Sequence, residues 1–436
     1  MGFALATFYI VVALSPLLFI AALRMKSDMT VLFDTATGFA LAAFAIIAVQ
    51  PVLSSRWKWI ERPFGFDVVI RFHRYVGVFA VFLLLAHPPG MAYGGLGLGL
   101  LTSLNQPWYV WGGRVVLSLL ILHVIISLWY SSFGLTFEQW RRVHNVLAVL
   151  IVAGGFVHSW YAAYDLAPIL MRTLWLVLFA LAVFAYVHHK VLKPGQLERS
   201  PYKVIGVEQE THNVWTVKFT PQDGQPIYDY QPGQFHFLTL RRSVGLPVEE
   251  HHWTISSSPA NKDFISSTIK ESGDFTATIG QTRVGDTALE EGPFGRFSYT
   301  FHPEDRDFVF IAGGIGITPI MSMIRHMRDT RKQAKVVLLY ANRTEEDIVF
   351  RSELAEIESG AQPHLKVIHI IASPKPGWSG ESGHLDKDKI SRLVGNRGER
   401  TGYYICAPPG MVDMAIESLR SMGISYAQIR MEVFLL

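Results

Sequence analysis

Two pairs of histidines share one spacing inside apolar sequence: His73 with His87, and His144 with His158, each 14 residues apart. Fourteen residues of α-helix turn through roughly 1400°, about 40° short of four full turns, and rise about 21 Å. Each pair therefore lies along one helical face. Two such helices side by side offer two facing His–His pairs at two depths of a bilayer. Imidazole on both sides of an iron gives a six-coordinate, low-spin centre suited to electron transfer. The pattern points to two haems ligated by His73, His87, His144 and His158. Ionisable side chains inside a bilayer are costly and usually functional. A proton relay is the rival reading, but relays usually include a carboxylate, and the apolar runs holding these four histidines contain no Asp or Glu. His123 has no partner at this spacing and reads as structural, and His188 and His189 read as interfacial.

Such a ladder needs membrane-spanning helices, and the composition supplies them. Half of the 436 residues are hydrophobic and only 17% are charged. The apolar residues concentrate before about residue 190, in six runs near 5–23, 36–53, 73–93, 109–130, 143–163 and 168–188, each long enough to span. The first lacks a basic leader and does not read as a signal peptide. Arg56, Lys58, Arg62, Arg71 and Arg74, then Arg141 and Arg142, then Lys190 and Lys193 fall on one side by parity, taken as cytoplasmic. Arg24 and Lys26 fall on the other. His73 and His144 then belong to the inner side, His87 and His158 to the outer. Arg114 and Arg172, near outer ends, suit either haem propionates or lipid phosphate. The single Cys406 excludes an intrachain disulfide and cysteine-ligated zinc or iron–sulfur centres. A net charge of +3 without basic clusters argues against nucleic acid as a partner.

The remaining sequence changes period. Val204–Val207, Val214–Thr220 and Phe235–Leu240 read as strands separated by turns such as Asp223-Gly224 and Pro232-Gly233, which predicts an antiparallel β-barrel to about residue 300. Strands then alternate with helices: Asp307–Ala312, a helix from Pro319 to Asp329, Val336–Tyr340, a helix over Asp347–Ser359, Leu365–Ile371, Tyr403–Cys406 and a helix over Met411–Met422. That is the signature of a parallel sheet with crossover helices, binding its ligand at the strands' carboxyl ends. The loop Gly313-Gly314-Ile315-Gly316 between strand and helix suits a phosphate cradle. By itself it is equally a glycine-rich turn that permits close packing.

The motifs in order resemble the ferric reductase and NADPH oxidase superfamily of transmembrane flavocytochromes, including its small bacterial members, over nearly the whole chain. Tyr230-Gln231-Pro232-Gly233-Gln234-Phe235 is similar to the family's Pro-Gly-Gln strand entry, and Gly292-Pro293-Phe294-Gly295 to the turn ending its flavin domain. His251-His252-Trp253-Thr254 stands where the family has its His-Pro-Phe-Ser/Thr flavin motif, with His252 in place of proline. The resemblance implies FAD contacts from His251, His252, Trp253 and Thr254, and from Lys270, Gly273 and Thr276 at the pyrophosphate. It implies nucleotide contacts from Gly313, Gly314, Gly316, Thr318, Pro319, Arg343, Cys406, Pro408 and Phe434. Thr254 and Cys406 take the positions beside hydride transfer. Ala407 replaces the glycine of the family's Cys-Gly-Pro, and the chain reads Leu435-Leu436 where many relatives place an aromatic over the flavin.

The implied architecture is multidomain: a six-helix transmembrane haem bundle over 1–192, an antiparallel β-barrel FAD domain over 193–301, and an α/β parallel-sheet nucleotide-binding domain over 302–436. The implied activity is electron transfer from cytoplasmic NADPH or NADH, through FAD and two haem b, to an acceptor outside the cell membrane. The equal histidine gaps resemble the reductases, whose acceptor is chelated ferric iron. Oxidase-type members tend to have one residue fewer in the second gap and reduce O₂ to superoxide. A periplasmic partner protein is a third acceptor. A flavin-regulated transporter or sensor is the reading from another class, against which stands the lack of a convincing internal repeat.

Overall fold

A computed structural model describes residues 1–23, 29–222, 224–395 and 397–433. The expectations on Arg24, Lys26, Asp223, Phe434, Leu435 and Leu436 lie outside these residues. The chain divides into two units, Met1–Gly195 and Gln196–Leu436.

Among the described residues, six helices in the first unit are long and apolar enough to cross a membrane. They are α1 (Gly2–Ala22), α2 (Val31–Ser54), α3 (Phe66–Met91), α4 (Trp108–Trp129), α5 (Phe137–Ala162) and α6 (Ile169–Val187). α2 is the hub, packing on α1, α3 and α6. Small residues Ala36, Ala43, Ala45 and Ala48 are buried along it and let the neighbours approach. Phe44 stacks on the fully buried Trp175 with ring centroids 4.8 Å apart.

α3 and α5 begin about two turns earlier than the apolar runs predict. Charged first turns look like loop in a hydropathy reading, but here they are helix. Asp67 and Arg71 pair at i,i+4 over 2.8 Å, and Glu138 and Arg141 at i,i+3 over 2.7 Å. A capping box starts α5: the Thr136 hydroxyl accepts from the Gln139 N–H at 3.3 Å, and the Gln139 side chain accepts from the Thr136 N–H at 3.0 Å.

In the second unit the strands are β1 (Tyr202–Thr211), β2 (Val214–Pro221), β3 (Phe235–Arg241), β4 (Glu250–Thr254), β5 (Ile265–Lys270) and β6 (Thr287–Phe294). They form an antiparallel sheet in the order β4-β3-β6-β1-β2-β5, and a bridge between Ile255 and Ser267 closes it. Closure leaves no long free edge. Val204, Val217, Phe219, Leu238, Leu240 and Ile265 fill the interior.

The nucleotide-binding part continues with β7 (Asp307–Gly313), α7 (Ile317–Asp329), β8 (Lys335–Asn342), α8 (Arg351–Ser359), β9 (His364–Ile371), β10 (Glu381–Ser382), α9 (Lys387–Val394), β11 (Thr401–Cys406), α10 (Pro409–Ser421) and β12 (Ile429–Glu432). All pairings are parallel, in the order β10-β9-β8-β7-β11-β12. The order reverses between β7 and β11, so the ligand crevice of a doubly wound sheet is expected at their carboxyl ends. Three helix starts depart from the sequence reading, that of α10 by two residues, and β10, α9 and β12 were not read from the sequence. α7 begins at Ile317 because Gly314–Gly316 already makes a helical turn, leaving Pro319 third in the helix, where its missing N–H still costs nothing. α8 begins at Arg351, since Asp347 is committed to capping Thr344. Ile348, Val349 and Phe350 turn inward to the core between them.

Candidate functional site

The four histidines are placed alike on two helices of equal length. His73 lies seven residues after Phe66 and His87 four before Met91. His144 lies seven after Phe137 and His158 four before Ala162. The pairs thus occur at matching depths along α3 and α5. α3 packs chiefly on α2 and α5 chiefly on α4, so neither helix packs mainly on the other.

The His73 and His144 rings have centroids 6.3 Å apart. Two imidazoles on one metal, each with a metal–nitrogen bond of about 2 Å, stand about 6 Å apart by centroid. The nitrogens are also sorted for ligation. His87 Nδ1 is 3.0 Å from the Ala36 carbonyl and His158 Nδ1 2.7 Å from the Tyr109 carbonyl. A carbonyl only accepts, so each Nδ1 carries the proton and each Nε2 keeps its lone pair. Ser127 Oγ lies 3.1 Å from His144 Nδ1, with the same effect when the nitrogen donates. His73 Nδ1 is buried with no hydrogen-bond partner among the described residues. Gly113 makes room for His158: a Cβ there would stand 2.5 Å from the imidazole Cε1. These donors fit an iron porphyrin with imidazoles on both faces.

Arg114 and Arg172 are already engaged with protein. Arg114 donates to the carbonyls of Leu100 and Ser103 at 2.7 and 3.0 Å, and Arg172 to that of Leu166 at 2.9 Å.

In the barrel, β4 splits its motif between two faces. His251 and Trp253 stack at 5.4 Å, and both pack on Phe275. His252 points the other way, against Phe235 and Phe237 at 5.8 Å each. The histidine in the proline position therefore packs in a phenylalanine cluster, apart from the His251–Trp253 face. Thr254 is buried, and its hydroxyl has no hydrogen-bond partner among the described residues. A buried hydroxyl without a partner suits a polar group of a bound ligand. Thr276 Oγ1 accepts from the N–H groups of Ser272 and Gly273 at 2.8 and 2.9 Å, so it already braces the Gly273 turn. Lys270 ends β5 with its side chain exposed.

Arg242, which no motif flagged, stands over Phe275 at 4.7 Å and donates to the Thr278 carbonyl and hydroxyl. Its Nε is buried without a partner among the described residues. It puts a cation on Phe275, the ring that His251 and Trp253 also pack on.

At the sheet's switch point the two loops interlock. A Cβ on Gly316 would stand 2.1 Å from the Cys406 carbonyl oxygen, and one on Gly313 would stand 2.8 Å from Pro408 Cδ and 3.0 Å from the Ala407 methyl. Ala407 is buried and packs toward Gly313. Gly314 has φ +52°, a conformation that favours glycine. Thr318 donates to the Ile315 carbonyl at 3.0 Å. Cys406 is fully buried, and burial, with the Glu432 carboxylate nearby, pushes its thiol well above the usual range. It is a neutral thiol and not a nucleophile. Arg343 follows β8, is exposed, and makes no side-chain hydrogen bond or ion pair among the described residues.

α7 ties the glycine loop to the flavin motif. Arg325 donates to the Ser256 carbonyl at 2.7 Å while gripping Glu353 at 3.0 and 2.6 Å. Ser322 donates to the Ser257 carbonyl at 2.7 Å and accepts from the Gly233 N–H at 3.2 Å. Sequence reasoning missed both; the available signal was Ser322 and Arg325 at i,i+3 on a helix whose buried face is otherwise apolar but for Thr318 near its start.

The comparisons with known proteins follow the same order. A family model for a ferric reductase like transmembrane component matches residues 39–155, one for an FAD-binding domain matches 200–303, and one for an oxidoreductase NAD-binding domain matches 310–417. The chain belongs to the ferric reductase and NADPH oxidase superfamily. This superfamily member is 30% identical over 251 residues to NADH-cytochrome b5 reductase 2 of Rattus norvegicus, covering 51% of this chain and 90% of that protein. It is 26% identical over 289 residues to the plasma membrane-associated coenzyme Q6 reductase of Saccharomyces cerevisiae, covering 64% of this chain and 90% of that protein. Among solved structures, flavohemoglobin from Malassezia yamatoensis with bound FAD and heme has a TM-score of 0.51 at 18% identity, covering 92% of this chain and 97% of that one, a likeness of fold alone. The ferric reductase-type chain is thus an NAD(P)H-dependent oxidoreductase with a multi-pass membrane part, an FAD-binding domain and a nucleotide-binding domain.

Proposed function

We propose that this chain moves electrons from cytoplasmic NAD(P)H across the cell membrane to an acceptor on the outer side, with ferric chelates as that acceptor. The observation that carries the reading is the pair His73 and His144, 6.3 Å apart on helices that do not pack chiefly on each other. When bound, FAD would take a hydride from the nicotinamide and release electrons singly, and two b-type haems would carry them one at a time. The chain's own part is placement. His73 and His144 hold the inner iron, and His87 and His158 the outer. Trp253 and Thr254 orient the flavin ring, and Arg242 joins Lys270 in balancing its phosphates. The glycine loop supplies backbone N–H groups at the start of α7, where anions are favoured. Cys406 stays protonated and holds the nicotinamide pocket's wall in place.

The equal 14-residue gaps in both histidine pairs favour metal reduction over superoxide formation. The test is anaerobic reduction by NAD(P)H, followed by separate challenge with ferric chelates and with O₂. Haem reoxidation is expected to be faster with the chelates. Faster reoxidation by O₂ with superoxide release would make the chain an oxidase, and a colourless membrane unit would end the haem reading.

NADPH is favoured over NADH. Arg343 is exposed where the adenosine ribose is expected; of the two acidic residues that could face the ribose of NADH instead, Asp347 is tied to the Thr344 N–H and hydroxyl at 3.0 and 2.9 Å and Glu345 lies 3.9 Å from Arg351. A hydrogen bond to a charged group contributes about 1.5–3 kcal/mol, so Arg343→Ala should lower kcat/KM for NADPH by about ten-fold or more and leave NADH little changed. A wild-type preference for NADH, as the rat relative's name carries, would contradict this.

A further inference from the structure

His123 has no 14-residue partner, yet the fold brings it to the inner histidine pair. α4 and α5 are consecutive and antiparallel, joined through 130–136. His123 lies six residues before the end of α4, and His144 seven after the start of α5. At 1.5 Å per residue these are about 9 and about 10 Å from the same side. The two rings accordingly meet, with centroids 4.3 Å apart and planes inclined by 39°. One turn further along the same face of α4, Ser127 reaches His144 Nδ1. His123 Nδ1 is buried with no hydrogen-bond partner among the described residues. A structural histidine in an apolar helix would be expected to close a bond through one nitrogen; this one stands beside a ligand candidate with that nitrogen unmet.

We propose that His123 is a reserve axial ligand of the inner iron, able to take the place of His144 opposite His73. The proposal rests on the haem reading above. The exchange is balanced: one iron–imidazole nitrogen bond breaks and another forms, a neutral imidazole replaces a neutral imidazole, the oxidation state of the iron is unchanged, and no proton moves. The inner site would then tolerate loss of His144 and not of His73, an asymmetry that equal 14-residue pairs do not suggest.

The experiment uses the full-length protein in detergent, reading haem-to-flavin ratio and the low-spin electron paramagnetic resonance lines. His73→Ala should lose about half the haem. His144→Ala, and the space-filling His144→Leu, should keep the wild-type ratio and a low-spin inner signal with shifted lines, because the new ligand sits at a different ring angle. His123→Ala alone should keep ratio and lines near wild type, and the His123→Ala/His144→Ala pair should lose about half the haem. Dye reduction by NAD(P)H at unchanged flavin content checks folding in each. The proposal is overturned if His144→Ala loses as much haem as His73→Ala. It is also overturned if that variant turns high-spin, or if the double variant keeps a low-spin inner haem. Failure of the haem reading itself looks different: the wild type would carry no b-type haem, or His73→Ala would keep all of it.

Discussion

A His87→Ala chain is expected to lose about half its haem and all transmembrane electron flow, while still reducing a soluble dye with NAD(P)H. His158→Ala should do the same. The reason is the direction of each ring. The Ala36 and Tyr109 carbonyls hold the Nδ1 protons of His87 and His158 at 3.0 and 2.7 Å, so on each ring Nε2 is the nitrogen left with a lone pair. Outer-shell partners of this kind both orient an imidazole and make it a better ligand. Alanine removes the ligand without opening the helix seam. Near His87, α3 meets α2 through Gly90, where a Cβ would stand 2.5 Å from the Ala36 methyl, so that contact does not depend on the imidazole. The flavin and nucleotide motifs lie wholly in the other unit, Gln196–Leu436, and dye reduction needs only that unit. Haem content and transmembrane reduction both at wild-type level in either variant would mean the outer ligands are misassigned.

The histidine pairs were legible because helical period is local: a spacing of 14 names a face whatever the helix packs against. The starts of α3 and α5 were not, because Asp67 and Arg71, and Glu138 and Arg141, look like loop charge until they are seen to pair along the helix. The place of His123 beside His144 was hidden for a different reason. Its partner lies on the next helix, and no spacing within one helix encodes the register between two. The flavin strand shows a third case. Alternation along β4 separates His252 from His251 and Trp253, which a strand's period of two predicts, but a motif read as one word puts all three on the flavin. Arg242 and Arg325 were invisible to motifs altogether. Each acts through a carbonyl distant in sequence, Thr278 for one and Ser256 for the other, so only folding assigns them a place. The alternation of strands and helices after Asp307, by contrast, was readable in outline; it misplaced helix starts, two of them set by turns at Gly314–Gly316 and Thr344, and left out β10, α9 and β12, which are short or carry few apolar residues.

The second large effect is expected at Gly316. Gly316→Ala should lower NAD(P)H-driven flavin reduction by about ten-fold or more, while Gly314→Ala, two residues away, should do much less. Both glycines lie in the same loop, so their difference isolates its cause. At Gly316 the added methyl would stand 2.1 Å from the Cys406 carbonyl oxygen and 2.7 Å from its carbon. Those are backbone atoms of β11, held in register with β7 and β12, with Cys406 opposite Ala312 and Glu432, so they cannot swing away as a side chain would. Either the turn into α7 lifts or β11 is pushed aside; both separate the phosphate loop from Cys406-Ala407-Pro408. Overpacking of this kind costs roughly 1–3 kcal/mol, about five-fold to more than a hundred-fold if expressed in nucleotide binding. At Gly314 no atom lies within 4 Å of the added methyl, and the only penalty is its φ of +52°, worth about 1 kcal/mol for an L-residue. The loss at Gly316 should appear mainly in KM for the nucleotide, since the groups proposed to face the flavin, Trp253 and Thr254, are untouched. Chemical reduction of the haems should proceed as in the wild type. Equal losses at the two glycines would show that strain in the loop, and not its contact with β11, sets the nucleotide site.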